Sequence, residues 1–528
     1  MKKRNNLLLA GSLISLILCS SCDDILNTVP TDRISSEVFW KTENDAITAS
    51  NAVYRYLDGI QELVRLDGAT DILHGNIQFS DWAAIERGEY DSNMEYIQTV
   101  WTHTYKGIRA VNNFLENVQQ VEATDRSRLD ILSAEVRVIR AYLYIKLVML
   151  YGDVPLITKT LTSVEEGKEV NRDSADEVWA FIVSELKAAA AVLPEKASET
   201  GRITKGAAKA LQARAWLFQG KWAEAEEAAK EVIDMNTYRI YPSYEKLFLY
   251  EGENNEEVIL DKQYIKDSYS NNAFSFLAPF SLRNNGADYV PTKKLFDAYR
   301  MLNGKMIHEE GSGFTYETQY ENRDPRLYYS LYIPGAELPN GEIYNSVPGS
   351  GTQDEVANTY LATSLGFNVR KYVNPEDYAN PSNCGINIML IRYAEVLLTY
   401  AEAKIEQNKI DDSVLSAINQ LRTRQDVGLA PVESGLNQEK MREIVRNERL
   451  VELAFEGLRL FDCRRWRTAE TLFPGRVNGI VYQAGDGEWK TVTIEGFIKV
   501  FNPEKHYLWP IPQKEIDLNP NLKQNPNW

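Results

Sequence analysis

Two apolar stripes separated by one glycine constrain this chain most. Ala207, Leu211, Ala215 and Phe218 recur every three or four residues, Gly220 interrupts them, and Trp222, Ala225, Ala229 and Val232 resume the spacing. Such a stripe lies along one face of an α-helix, and alanines at the facing positions let two antiparallel helices approach closely. One hairpin cannot bury its apolar face alone, so the chain has to stack further helices against it. The sequence supplies them. Val136, Ile139, Leu143, Leu147 and Leu150 form a stripe that Gly152 and Pro155 terminate, because proline cannot continue the hydrogen-bond ladder. Further stripes run through Tyr393, Val396, Leu397, Tyr400 and Ala401, through Val414, Ala417, Ile418 and Leu421, and through Ile444, Val445, Val451, Phe455 and Leu458.

The expected fold is therefore mainly α, built of tetratricopeptide-like helical hairpins with long loop insertions and a few short strands. No strict repeat period runs through the chain. A helical scaffold is expected over about 35–250 and 385–470. Between them, over about 251–384, periodicity fades and Gly, Asn, Pro and Tyr accumulate. Long irregular segments inside a domain are more often functional than idle, so this stretch is read as a ligand-binding insertion with short strands such as Val258 to Leu260. A β-hairpin turning at Gly485, Asp486 and Gly487 and an extended, non-helical tail are expected over about 471–528. Together, residues 22–528 read as a single domain.

The N-terminus begins with Lys2, Lys3 and Arg4 and continues with the apolar run from Leu7 to Leu18. As a helix that run reaches roughly 18 Å, too short to span the hydrocarbon core of a bilayer, and it reads as a secretory signal over residues 1–21. Cys22 follows small Ser20 and Ser21, as in a lipobox, where the new N-terminal cysteine is acylated by chains such as palmitate. Cys384 and Cys463 read as core thiols, since two cysteines are too few for a disulfide framework. The net charge of −17 repels phosphate backbones and excludes nucleic acid as a partner.

Catalytic signals are missing. His74, His103, His308 and His506 are scattered, with no metal-ligand spacing, and no nucleophile elbow, phosphate loop or dinucleotide fingerprint occurs. No catalytic residue, metal or cofactor is expected. Glu395, Glu402, Glu448, Glu452 and Glu456 lie at helical distances from Arg446, Arg449 and Arg459, which reads as structural ion pairing. Arg464, Arg465 and Arg467 also read as structural. Aromatic rings offer more, with 29 Tyr and 10 Trp. A pyranose has an apolar C–H face and an equator of hydroxyls, so its site wants flat rings beside amides and guanidinium groups. Two loop segments supply that mixture. One brings Asn76, Trp82, Tyr90 and Asn93, the other Arg283, Asn284, Asn285 and Tyr289, and these eight are the candidate ligand contacts. Trp101 and Tyr105, at helical spacing, are assigned to the core.

Seven segments together resemble the SusD/RagB family of outer-membrane nutrient-binding lipoproteins. In order they are RAYLYIKLVMLYGDVPLI, TKGAAKALQARAWLFQGKWAEA, YVPTKKLFDAYRMLNGKMI, NRDPRLYYSLYIPG, IMLIRYAEVLLTYAEA, RNERLVELAFEGLRLFDCRRW and PIPQKEIDLNPNLKQNPNW. The resemblance implies a non-enzymatic protein that captures oligosaccharide and passes it to a TonB-dependent transporter of the SusC type. It implies an outer-membrane location through a lipid anchor at Cys22; in such lipoproteins, acidic residues after the cysteine, here Asp23 and Asp24, accompany display on the cell exterior. Within the shared segments it gives Asp462 and Arg465 a helix-tying role and has Pro510 and Pro512 fix the tail. The residues alone leave two other readings open, a surface glycoside hydrolase and a helical-repeat adaptor that binds protein.

Overall fold

The computed structural model describes residues 39–76, 81–283, 287–356 and 358–528; the signal segment, Cys22, Asn284 and Asn285 lie outside the described residues. Ten helices of nine residues or more occur among them: α1 (Glu43–Tyr54), α2 (Ile60–Gly68), α3 (Glu95–Asn117), α4 (Ser127–Tyr151), α5 (Ala175–Val192), α6 (Lys205–Phe218), α7 (Trp222–Asp234), α8 (Tyr393–Glu406), α9 (Asp412–Arg422) and α10 (Gln438–Glu452). Eight short strands pair antiparallel in four two-stranded ribbons. These join β1 (Leu73–Gly75) to β3 (Tyr289–Pro291), β2 (Val258–Lys262) to β6 (Ile388–Arg392), β4 (Leu331–Tyr332) to β5 (Asn368–Val369), and β7 (Gly475–Gln483) to β8 (Trp489–Lys499). The chain is mainly α.

The helices start where capping chemistry starts them. Thr42 with Asp45 and Ser174 with Glu177 close reciprocal capping boxes at α1 and α5, and Asp411 accepts from two backbone N–H groups at the head of α9. From α3 to α8 each helix packs on the next, and α8 also carries α9 and α10. Helix α4 is central: from Ala134 to Tyr151 only Arg137 and Met149 are not fully buried. Its interior charges are paired, Lys146 with Asp58 at 2.6 Å and Arg140 with Glu185 at 2.5 Å. Between α6 and α7 the backbone turns at Gly220 with φ +69°, a left-handed conformation that costs glycine little.

The insertion leaves the frame after β2 and returns at β6, which runs directly into α8. The β2–β6 ribbon thus clasps its two ends, and a buried ionic network fastens its middle. Glu452 of α10 accepts from Arg326 at 2.7 Å, from Arg392 at 2.7 Å and from Arg424 at 2.9 Å. Arg326 also reaches Asp324 and Glu448, Arg392 reaches Glu257 and Glu456, and Lys371 donates to Glu456. The residues expected to form ion pairs are paired, but the expected pairs along one helix do not form, and the partners lie on other elements. Glu395 pairs with Arg214 and Glu402 with Arg465, Arg449 with Asp462, and Arg459 with Asp71. Asp462 bridges Arg449 and Arg465, which ties α10 to α8.

The tail departs from expectation in one respect, since Gln513–Leu518 forms a short helix. Pro512 supplies its N-cap, and no apolar period was needed to start it. The rest of the tail straps across the end of α4. Trp509, fully buried, donates its backbone N–H to Leu150, and the Asn525 amide donates to the carbonyls of Tyr151 and Trp509 at 2.8 and 2.7 Å. One contiguous apolar core extends from Trp40 to Ile511.

Candidate functional site

The two candidate loop segments meet. Pairing of β1 with β3 sets Gly75 against Tyr289, and the Asn76 N–H donates to the Asp288 carbonyl at 2.9 Å. A third segment joins them: the Asn76 amide donates to the Ala362 carbonyl at 3.0 Å and accepts from the Ser364 N–H at 2.9 Å. Asp354 then ties that segment to the short helix Phe280–Arg283 by accepting from the N–H and hydroxyl of Ser281. Three stretches far apart in sequence meet in one cluster of loops, the loop end.

A buried carboxylate stiffens this end. Glu86 accepts from the Gly75 N–H at 3.0 Å, faces His74 Nδ1 at 2.8 Å and pairs with Lys499 at 2.6 Å. Burial alone would raise its pKa, but Lys499 and His74 hold it below the ordinary value, so it stays ionised and joins β1, the helix Asp81–Arg87 and β8.

Most of the predicted contacts that can be placed lie inside this architecture. Asn76 is buried with both ends of its amide engaged. Trp82 is buried with its ring 4.0 Å from that of Tyr96. Tyr90 is buried, stacks on His506 and meets the tilted ring of Trp528. Tyr289 is buried against Gly68, where an added Cβ would come within 2.4 Å of its ring. These four rings and amides hold the loops in place. Asn93 is exposed, in a turn stabilised by Asp91. Arg283 ends the helix Phe280–Arg283, and its side chain lies outside the described residues. The exposed aromatic that sequence reading missed here is Tyr360, 84% exposed on the third segment. No periodicity or motif marks it; only the fold brings it beside the other two loops.

The five carboxylates expected on helices, of which Glu456 lies in the turn after α10, offer no acid–base pair. Glu395, Glu402, Glu448, Glu452 and Glu456 are all buried and each faces arginine. Burial would raise Glu452, yet Arg424, Arg392 and Arg326 hold it far below the usual carboxylate range. Cys384 and Cys463 are buried free thiols, and burial pushes Cys384 up to about 12. Among the described residues no group of His, Cys, Asp and Glu is arranged to hold a metal, and no helix is long and apolar enough to cross a membrane.

Comparison with known proteins places this architecture. A SusD-like protein of Formosa agariphila is 25% identical over 97% of both chains, and one of Bacteroides ovatus is 23% identical over 87% of this chain and 82% of its own. The crystal structure of a SusD-like carbohydrate binding protein from Bacteroides fragilis superposes with a TM-score of 0.84 at 27% identity, covering 92% of this chain and all of that one. A family model described as starch-binding associating with outer membrane matches residues 44–217. The SusD family model itself matches residues 256–528, more than half of the sequence, and the chain belongs to that family.

Proposed function

We propose that this protein is a glycan-binding lipoprotein of the outer-membrane surface. It captures oligosaccharide and delivers it to a TonB-dependent transporter of the SusC type, leaving glycosidic bonds intact. The observation that carries this reading is full-length likeness to a protein described as carbohydrate binding. The description of the family model over residues 44–217 supports both the ligand class and the membrane. In this reading residues 1–21 are removed, Cys22 carries the acyl chains, and residues 22–528 act as one domain.

Chemistry supports binding over cleavage. Glycosidases hold two carboxyl groups roughly 5–10 Å apart across an accessible bond, and at least one has to exchange a proton. The five carboxylates are buried and held by arginine instead. Contacts at the loop end then fall to exposed groups such as Tyr360, with Asn76 and Tyr289 positioning the backbone around it, while exposed Asn93 lies beside the C-terminal tail.

The test combines a glycan array, chromatography of the incubated glycan and membrane fractionation. Intact recovery of a bound glycan, with Cys22→Ala releasing the protein from the outer membrane, is the expected result. Shortened products, or no affinity for any glycan, would overturn the reading.

A further inference from the structure

A groove between α1 and α3 shares no residue with the loop end. Two cavities of about 800 and 430 Å³ meet there and share Arg55 and Tyr269. Each falls within the roughly 300–1,000 Å³ of small-molecule sites. Although the chain has 75 Asp and Glu, none of the described residues lining either cavity is acidic.

The aromatic wall is built, not incidental. Ile265 and Tyr269 exchange backbone hydrogen bonds at 3.0 Å across a tight turn, with Asp267 at φ +63°. Asn383 pins that turn by accepting from the Asp267 N–H at 2.9 Å and donating to its carboxylate at 2.7 Å. Tyr264 lies under Tyr269, the rings 5.2 Å apart and only 8° from parallel. Tyr264 thus backs Tyr269 in an offset stack, and Tyr269 remains 38% exposed and lines both cavities. Gly59 makes room for Tyr264, since a Cβ there would lie 2.7 Å from the phenol oxygen.

Polar groups share the lining with the ring. The Lys262 ammonium donates to the carbonyls of Arg55 and Leu57 at 3.2 and 2.6 Å, fixing the backbone that presents the Arg55 guanidinium. Opposite, the Tyr56 ring sits 5.3 Å from His103. Partial burial and the charge of Lys146 lower the pKa of His103, so at pH 7 the imidazole is neutral and offers both a donor and an acceptor. Asn51 and Asn113 add exposed amides.

We propose that this groove is a second saccharide subsite, in which Tyr269 stacks on the C–H face of a pyranose while Arg55, His103 and the two amides take its hydroxyls. A partly exposed flat ring, bordered by groups that both donate and accept, matches a sugar ring. The inference rests on the reading of the protein as a glycan binder, to which it adds a second point of attachment.

The test uses the full chain on an array of malto-, cello-, manno- and xylohexaose, with affinities of the binders measured by calorimetry. Tyr269→Ala and Arg55→Gln, both at exposed positions, are compared with Tyr360→Ala at the loop end, and circular dichroism confirms that each variant is folded. The expected result is at least a fivefold loss of affinity for each groove variant, and a larger loss when Tyr269→Ala and Tyr360→Ala are combined than for either alone. Wild-type binding that both groove variants keep to within twofold would overturn the inference and leave the reading standing. If the wild type binds none of the four, the same variants are measured on whichever glycan the wider array identifies, and failure to bind any glycan would overturn both.

Discussion

At the scale of single residues, the most consequential side chain is Glu452. Its two oxygens accept from three buried arginines, so removing the charge leaves the buried network with an uncompensated cation. Breaking a buried pair on one side typically costs about 3–5 kcal/mol, and Glu452→Gln is expected to lower the free energy of urea unfolding at pH 7 by that order. Because its pKa is depressed in the folded state, this contribution is fully present above the ordinary carboxylate range and is lost only as the pH falls below it. His506 sets a second pH dependence. Burial, with Lys505 and Arg464 nearby, lowers its pKa to about 4, so the folded chain holds the imidazole neutral where the unfolded chain would protonate it. Stability should fall as the pH drops from about 6.5 to 4, by about 2–3 kcal/mol at roughly 1.4 kcal/mol per pH unit. His506→Gln should remove that increment from the urea-unfolding profile. Sequence reading recognised Glu452 as an ion-pairing residue from its helical neighbours, yet its partners come from the insertion, from β6 and from the loop after α9. Spacing reports only what lies one turn away.

At the scale of elements, the β7–β8 ribbon is seated by a missing side chain. A Cβ on Gly479 would lie 2.0 Å from the Leu365 carbonyl, while the neighbouring Ile480 N–H donates to that same oxygen at 2.8 Å. Gly479→Ala must push backbone from backbone, and a loss of about 1–3 kcal/mol is expected, as for overpacked sites. Chemical denaturation would record it as a lower midpoint, and a midpoint within experimental error of wild type would show that the ribbon yields without cost. The ribbon itself was legible in sequence through its turn at Gly485 to Gly487, as were α4, α6, α7 and α8 through their apolar stripes. The short helix Gln513–Leu518 was not, because one and a half turns carry no period. Nor was the interior placement of Trp82, Tyr90 and Tyr289: ring chemistry is the same in a core and in a binding site, and only tertiary packing separates the two.

At the scale of the whole molecule, the insertion and the helical frame share one apolar core, the β2–β6 clasp and the Glu452 network. They are expected to unfold together. Far-ultraviolet dichroism and tryptophan fluorescence should report coincident urea transitions, and proteolytic cuts between residues 263 and 387 should appear only with loss of the frame; separate transitions would show an independently folding insertion. The loop end was half legible for a related reason. The sequence indicated which two loops are rich in rings and amides, but their junction through Asn76, and the third loop bearing Tyr360, depend on pairings across more than two hundred residues. The strap over α4 is longer still in reach, with Asn525 bonded to a carbonyl 374 positions earlier in the chain. A ribosome works from the N-terminus onward, so the central helix is finished long before its lock is made. Until Trp509 and Asn525 emerge, the nascent polypeptide has no closed ground state to fall into, and a chaperone has almost the entire length in which to keep it from committing early.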